Sequence, residues 1–179
     1  MLIALATKKH WMMHQLDVKS TFFNGELKEG VYLEQPEGFV EKGKEYLVCR
    51  SKKALYGLKQ APRSWYDKID SFFIQVGYNR SNNDPNLYTM KDEQGCVVLI
   101  SLYVHDLIIT GDATYLINEI KKHMSQMFEM KHLSELRYCL GLEIWRDSGK
   151  TFLSEAKYVN GLLEKFRRNQ CKPALVPLQ

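Results

Sequence analysis

One stretch constrains the fold of this chain more than any other: Leu99-Ile-Ser-Leu-Tyr-Val-His105-Asp106-Leu-Ile-Ile-Thr-Gly111. Apolar and β-favouring residues run on both sides of a histidine and a carboxylate. Burying an unpaired charge inside a sheet costs several kcal/mol or forces the group to neutralise. Asp106 therefore needs a turn that exposes it, or a metal or basic partner. The arrangement that satisfies this is two strands joined at a tight turn, with His105 and Asp106 at the tip.

At 179 residues the chain is long enough for one sizeable core and does not require two. Hydrophobic residues make up 45% and charged residues 26%, the balance of a globular protein and not of a disordered one. The net charge of +4 permits nucleic-acid binding without demanding it. The pairs Lys8-Lys9, Lys52-Lys53, Lys121-Lys122 and Arg167-Arg168 read as solvated faces. Cys49, Cys96, Cys139 and Cys171 are far apart, form no Cys-x-x-Cys pair and read as reduced thiols of an intracellular protein. The longest apolar run stops at His105, short of the roughly 20 residues of a membrane span. Met1 to Ala6 lack the basic start and cleavage site of a signal peptide. A soluble protein, cytoplasmic or nuclear, is expected.

Leu2, Leu5, Ala6, Lys9, Met12 and Met13 have helical spacing and lead into a short strand, His14 to Val18. Asn24-Gly25 signals a turn, and Val31 to Pro36 pairs with Tyr46 to Arg50 as extended segments. Pro62 fits the first position of a helix carrying Trp65, Ile69, Phe72, Phe73 and Val76, stopped at Gly77. Asp112 can cap the next helix, with Leu116, Ile120, Met124 and Met127 as its buried stripe. A second hairpin turns at Asp147-Ser-Gly149, between Tyr138 to Trp145 and Thr151 to Leu153. A last helix carries Tyr158, Val159, Leu162, Leu163 and Phe166, and Pro173 and Pro177 end the regular structure. Strand pairs separated by helices predict an α+β fold, one antiparallel sheet with helices packed on one face.

Asp17, on a short apolar strand, and Asp106 are the two carboxylates that stand out. An antiparallel sheet can bring them together, and converging carboxylates make a Mg²⁺ site, because Mg²⁺ takes oxygen ligands and shares them with substrate phosphates. The competing reading, Asp17 capping a turn and Asp106 a simple turn residue, carries more weight on spacing alone. The stretch Lys52 to Arg63 joins a glycine, Lys59, Arg63 and a helix N-terminus, features that favour an anion such as phosphate. A basic loop leading into a helix explains it equally well. Trp65 and Tyr66 read as core.

Four segments carry a family resemblance: Gln15-Leu-Asp-Val-Lys-Ser-Thr-Phe-Phe-Asn-Gly-Glu-Leu27, Tyr32-Leu-Glu-Gln-Pro-Glu-Gly-Phe39, Leu55-Tyr-Gly-Leu-Lys-Gln-Ala-Pro-Arg-Ser-Trp-Tyr66 and Leu102-Tyr-Val-His-Asp-Leu107. With Met130 to Ile144 continuing the match, nearly the whole chain resembles the reverse transcriptase of copia-type LTR retrotransposons. The resemblance implies a right-hand polymerase fold, a single domain over residues 1–179 that is mainly palm, with part of the fingers around residues 26–62. It implies RNA-directed DNA synthesis by two-metal nucleotidyl transfer, with Mg²⁺ as cofactor (Mn²⁺ as the alternative) and with template-primer and deoxynucleotides as partners. Asp17 and Asp106 become metal ligands, and Phe22 a gate beneath the incoming sugar. Val18 becomes a backbone contact near the triphosphate. Tyr56, Gly57 and Lys59 line the nucleotide and template side, and Lys131 donates a proton to the leaving pyrophosphate.

Two departures accompany the resemblance. The family pattern has Tyr-Val-Asp-Asp at the hairpin tip, whereas Tyr103-Val104-His105-Asp106 stands here, with His105 at the catalytic position of an aspartate. A two-metal transfer clamps its ions about 3.5–4 Å apart with carboxylates. Imidazole suits Zn, Cu and Ni better than Mg²⁺ and brings no negative charge when neutral. His132 and Ser134 also depart from the family's Met-Lys-Asp-Leu-Gly. The second departure is length, since an N-terminal fingers segment and a ribonuclease H region are expected to be absent. Weak Mg²⁺ activity follows, the alternative being an inactive remnant that only binds nucleic acid or protein. Further expectations are an Asp17 strand beside the hairpin, an exposed apolar patch from Tyr32 to Tyr56, and self-association.

Overall fold

The computed structural model describes residues 1–172, residues 132–134 by their backbone alone. The expected ends at Pro173 and Pro177 lie outside the described residues, as do the side chains of His132 and Ser134. The elements in chain order are α1 (Leu2–Lys8), β1 (Met13–Val18), a 3₁₀ turn (Thr21–Asn24), β2 (Glu26–Glu34), β3 (Val48–Lys53) and α2 (Ala61–Gln75). There follow β4 (Asn79–Arg80), β5 (Leu87–Lys91), β6 (Val97–Tyr103), β7 (Asp106–Gly111) and α3 (Thr114–Met127). The chain continues through β8 (Met130–Glu135), β9 (Tyr138–Cys139), β10 (Leu142–Asp147), β11 (Lys150–Ser154) and α4 (Ala156–Lys165). The fold is mixed α+β, with antiparallel sheets and four α-helices among the described residues.

Among the described residues the expected single sheet is three. Six strands order as β4-β5-β6-β7-β1-β8, β9 to β11 form a three-stranded sheet, and β2-β3 a separate ribbon. The two-residue period of a strand explains the central layering. Leu16 and Val18 of β1, Leu107 and Ile109 of β7, and Val98, Ile100 and Leu102 of β6 turn to one face. There they meet Trp65, Ile69, Phe72 and Phe73 of α2 and Ile117, Ile120 and Met124 of α3, the main core. Met13 and Ile108 turn the other way and pack in a second cluster with Ala6, Leu136, Cys139 and Ile144. So α2 and α3 share one face as expected, while α1 belongs to the cluster on the opposite side.

Several local expectations shift by a residue or a partner. α1 ends at Lys8, and Met13 enters β1, where its side chain is fully buried. Pro62 falls one place after the first residue of α2, still in the turn where a missing N–H costs nothing. Gly77, at φ +93°, stops that helix, with its N–H donated to the Ile74 carbonyl. Asp112 does not cap α3, because its carboxylate accepts the Val97 N–H at 2.6 Å and ties β6 to β7. In α3 Ile117 is buried in place of Leu116, and Met127 is exposed. Ser148 and Gly149 both take positive φ, as a two-residue hairpin turn requires. The apolar stripe of α4 is exposed, not buried. No helix among the described residues is long and apolar enough to cross a membrane.

Candidate metal centre at the β6-β7 turn

Register builds the site. Asp106 faces Asp17 across β7 and β1, Asp17 faces Lys131 across β1 and β8, and Tyr103 faces Asp106 across β6 and β7. Directly opposed residues share a face of an antiparallel pair. Tyr103, Asp106, Asp17 and Lys131 thus form one row across four strands, on the face away from α2 and α3. The two carboxylates of the sequence reading are neighbours in this row, although 89 positions of chain separate residues 17 and 106.

Val104 and His105 form the turn between β6 and β7, and Val104 takes φ +54°, unfavourable for a β-branched residue. Two hydrogen bonds hold the turn. The Trp65 indole N–H donates to the Val104 carbonyl at 2.6 Å, and the Val18 N–H donates to the His105 carbonyl at 3.0 Å. Trp65 is itself buried, edge-on to Phe128 at 5.4 Å between ring centroids. A core residue therefore also fixes the tip, because a buried indole N–H needs an acceptor.

The imidazole then leans over the row. His105 Nε2 lies 3.8 Å from Asp17 Oδ2 and 3.9 Å from Asp106 Oδ2. One ligand atom from each of the three residues falls within 4.8 Å of the other two. The His105 side chain is 52% exposed, against 26% for Asp17 and 19% for Asp106, so the cluster opens to solvent on the histidine side. Gln15, two residues before Asp17 and hence on the same face, donates from Nε2 to Asp106 Oδ1 at 3.3 Å. That bond occupies one carboxylate oxygen and leaves Oδ2 turned toward His105. Sequence reasoning missed Gln15, which the two-residue period of β1 could have flagged. It read Trp65 as core alone.

The remaining candidates are dispersed around the turn. Val18 has its N–H committed to His105, and its carbonyl accepts the Thr21 hydroxyl at 2.7 Å. Phe22 touches Tyr56, with 4.7 Å between ring centroids, and Phe23 meets the same ring at 5.7 Å. Phe22 also lines a cavity of about 210 Å³ with Trp65, Leu102, Tyr103 and Val104, directly behind the tip. Gly57 holds φ +91°, a conformation only glycine takes freely. Lys59 lies apart, in a surface recess of about 350 Å³ with Lys28, Arg63 and Asp67. This recess gathers Lys59 and Arg63 of the anion-favouring stretch, but Glu29 also lines it and Asp67 already pairs with Lys28 at 3.2 Å. Lys131 is exposed beside Asp17.

The donor set can hold one dication well. Two carboxylates balance its charge, and an ammonium already stands next in the row. A pair of Mg²⁺ ions fits poorly, since a two-ion clamp is built of carboxylates and imidazole replaces one of them.

Comparison with known proteins identifies the family of the chain. A family model described as reverse transcriptase (RNA-dependent DNA polymerase) matches residues 1–179. The retrovirus-related Pol polyprotein from transposon TNT 1-94 of Nicotiana tabacum is 41% identical over 179 residues, 99% of this chain and 14% of that protein. The corresponding polyprotein from transposon RE1 of Arabidopsis thaliana is 35% identical over 176 residues, 98% of this chain and 12% of that protein. A putative transposon Ty5-1 protein of Saccharomyces cerevisiae is 29% identical over 164 residues, 91% of this chain and 53% of the relative. The chain thus spans about an eighth of the two plant polyproteins. A match along every residue, and two relatives above a third identical, assign it to the reverse transcriptase family of copia-type retrotransposon Pol polyproteins.

Proposed function

We propose that this chain is the palm of an RNA-directed DNA polymerase, with residues 26–62 as part of its fingers, and that its own Mg²⁺-dependent synthesis is weak. The observation that carries the reading is the row Asp106–Asp17–Lys131 on the sheet face away from α2 and α3, with His105 at the tip. On this reading Asp17 and Asp106 hold the divalent ion, and Lys131 stands where a proton can be passed to the leaving pyrophosphate. Phe22, buttressed by Tyr56, gates the sugar, Gly57 and Lys59 border the nucleotide and the template, and Val18, its N–H spent on the His105 carbonyl, holds the turn instead. Template-primer and deoxynucleotides are the partners, and the net charge of +4 suits a polyanion.

His105 limits the chemistry. When neutral it removes one formal charge from a site that would otherwise concentrate two dications, and it offers nitrogen where Mg²⁺ takes oxygen. This same observation favours the second reading, a remnant that binds nucleic acid or protein without catalysis. Primer extension on an RNA template separates them, comparing the unmutated chain, His105→Asp and Asp17→Asn with Mg²⁺ and with Mn²⁺. We expect little extension by the unmutated chain, more by His105→Asp in Mg²⁺, and none by Asp17→Asn. Robust Mg²⁺-dependent extension by the unmutated chain would overturn this view of His105. Template binding with no extension by His105→Asp would leave the binding module.

A further inference from the structure

We infer that Asp17, His105 and Asp106 form a site for a single borderline transition dication, Zn²⁺ above all, held in preference to Mg²⁺. The inference deepens the polymerase reading and rests on it only for the side of the sheet on which the ion is useful. Its own support is the donor set and its geometry.

Zn²⁺ accepts imidazole nitrogen and carboxylate oxygen together, and in open sites three protein ligands leave a fourth position for water or substrate oxygen. Ligand bonds near 2.0–2.2 Å and tetrahedral angles put neighbouring donor atoms about 3.4 Å apart. His105 Nε2 already stands 3.8 Å and 3.9 Å from the two Oδ2 atoms. Each histidine–carboxylate gap therefore needs to close by about half an ångström, and one ligand atom from each of the three residues already lies within 4.8 Å of the other two. The histidine belongs to a two-residue turn, and its side chain is the most exposed of the three. Rotation of that side chain can bring its nitrogen nearer to both carboxylates.

The outer contacts point the same way. Gln15 donates to Asp106 Oδ1 and leaves Oδ2 for the ion, the outer-shell role that holds a ligating carboxylate in position. The His105 carbonyl accepts the Val18 N–H, which anchors the backbone of the turn, while the imidazole is half exposed. Charge also selects one ion over two. Two carboxylates neutralise one dication, whereas a second would sit uncompensated in the same row as the Lys131 ammonium. Imidazole and carboxylate ligands favour Zn²⁺, Co²⁺ and Ni²⁺ over Mg²⁺, which dehydrates reluctantly.

Titration of the full chain with Co²⁺, followed by displacement with Zn²⁺, tests this without any activity measurement. Expected are one Co²⁺ per chain, visible absorption of a four-coordinate nitrogen–oxygen site, and its loss as one equivalent of Zn²⁺ is added. A hundredfold excess of Mg²⁺ should leave the spectrum in place. His105→Ala should weaken Co²⁺ binding more than the 10–100-fold that losing an outer contact costs, and Gln15→Leu should fall within that range. His105→Asp keeps a charged ligand at the turn, so a fault in folding cannot be mistaken for a lost ligand. It should exchange Co²⁺ readily for Mg²⁺. Co²⁺ binding unchanged in both His105 variants would overturn the inference, as would absorption that Mg²⁺ abolishes in the unmutated chain. His105-dependent Zn²⁺ binding by a chain whose His105→Asp variant neither binds template-primer nor extends it would sink the polymerase reading and leave this site standing.

Discussion

Tyr78 is buried in the main core, and its hydroxyl finds no hydrogen-bond partner among the described residues. Burial raises its pKa, with Glu119 adding to the effect, so the hydroxyl stays neutral and its proton unshared. An unsatisfied buried polar group costs about 1–3 kcal/mol. Tyr78→Phe removes the group while keeping the ring that packs on Phe73 at 6.1 Å. Urea denaturation should show this variant more stable by about 1 kcal/mol; a loss of stability would mean that the hydroxyl has a partner. His14 sets a pH dependence. Burial lowers its pKa below 6.5, Lys121 lowers it further, and Glu135 opposes both. The unfolded chain therefore binds more protons than the folded one near that pH. Stability contributed by the neutral ring is complete above about pH 6.5 and is lost as pH falls through the lower folded value. His14→Gln should flatten the decline in melting temperature between about pH 7 and pH 5. An equal decline in both proteins would assign the acid sensitivity to other groups.

At the scale of elements, the β6-β7 hairpin joins the core to the site. Trp65 links them through the Val104 carbonyl, so Trp65→Phe should do two separable things. It should cost about 2 kcal/mol, from the lost hydrogen bond and the smaller ring. It should also speed amide exchange at residues 103–106 more than along α2. Uniform acceleration would reduce Trp65 to packing alone. The hairpin was legible in the sequence because a polar pair broke an apolar run, and α2 because its spacing was long and regular. β5 passed unnoticed, although Tyr88, Thr89, Met90 and Lys91 alternate apolar with polar and Tyr88 is buried. Asp112 misled because a carboxylate before a helix usually caps it, whereas here the Val97 amide, distant in sequence, claims it. At the site, family resemblance and the interrupted run singled out Asp17, His105 and Asp106, but only register could show that Lys131 extends their row.

At the scale of the molecule, one group of exposed apolar residues gathers on the β2-β3 ribbon. Tyr32, Phe39, Tyr46, Val48 and Tyr56 are all exposed along the β2-β3 ribbon and the segments beside it, as the sequence led us to expect. The ribbon is a two-stranded sheet of its own, joined to the rest mainly through α2 and the 3₁₀ turn. Phe39 and Tyr46 are the most exposed of these rings, and an exposed apolar area of this kind is commonly a contact surface. The net charge of +4 on 179 residues is too small to hold copies apart once salt screens it. Sedimentation velocity should therefore show concentration-dependent association at moderate ionic strength. The double variant Phe39→Ser, Tyr46→Ser removes the two most exposed rings of the segment. Both side chains stand clear of the core, so the melting temperature should not move while the association weakens severalfold. A monomer at every concentration would show that these rings are tolerated singly in water, and association unchanged in the double variant would move the contact to the exposed stripe of α4.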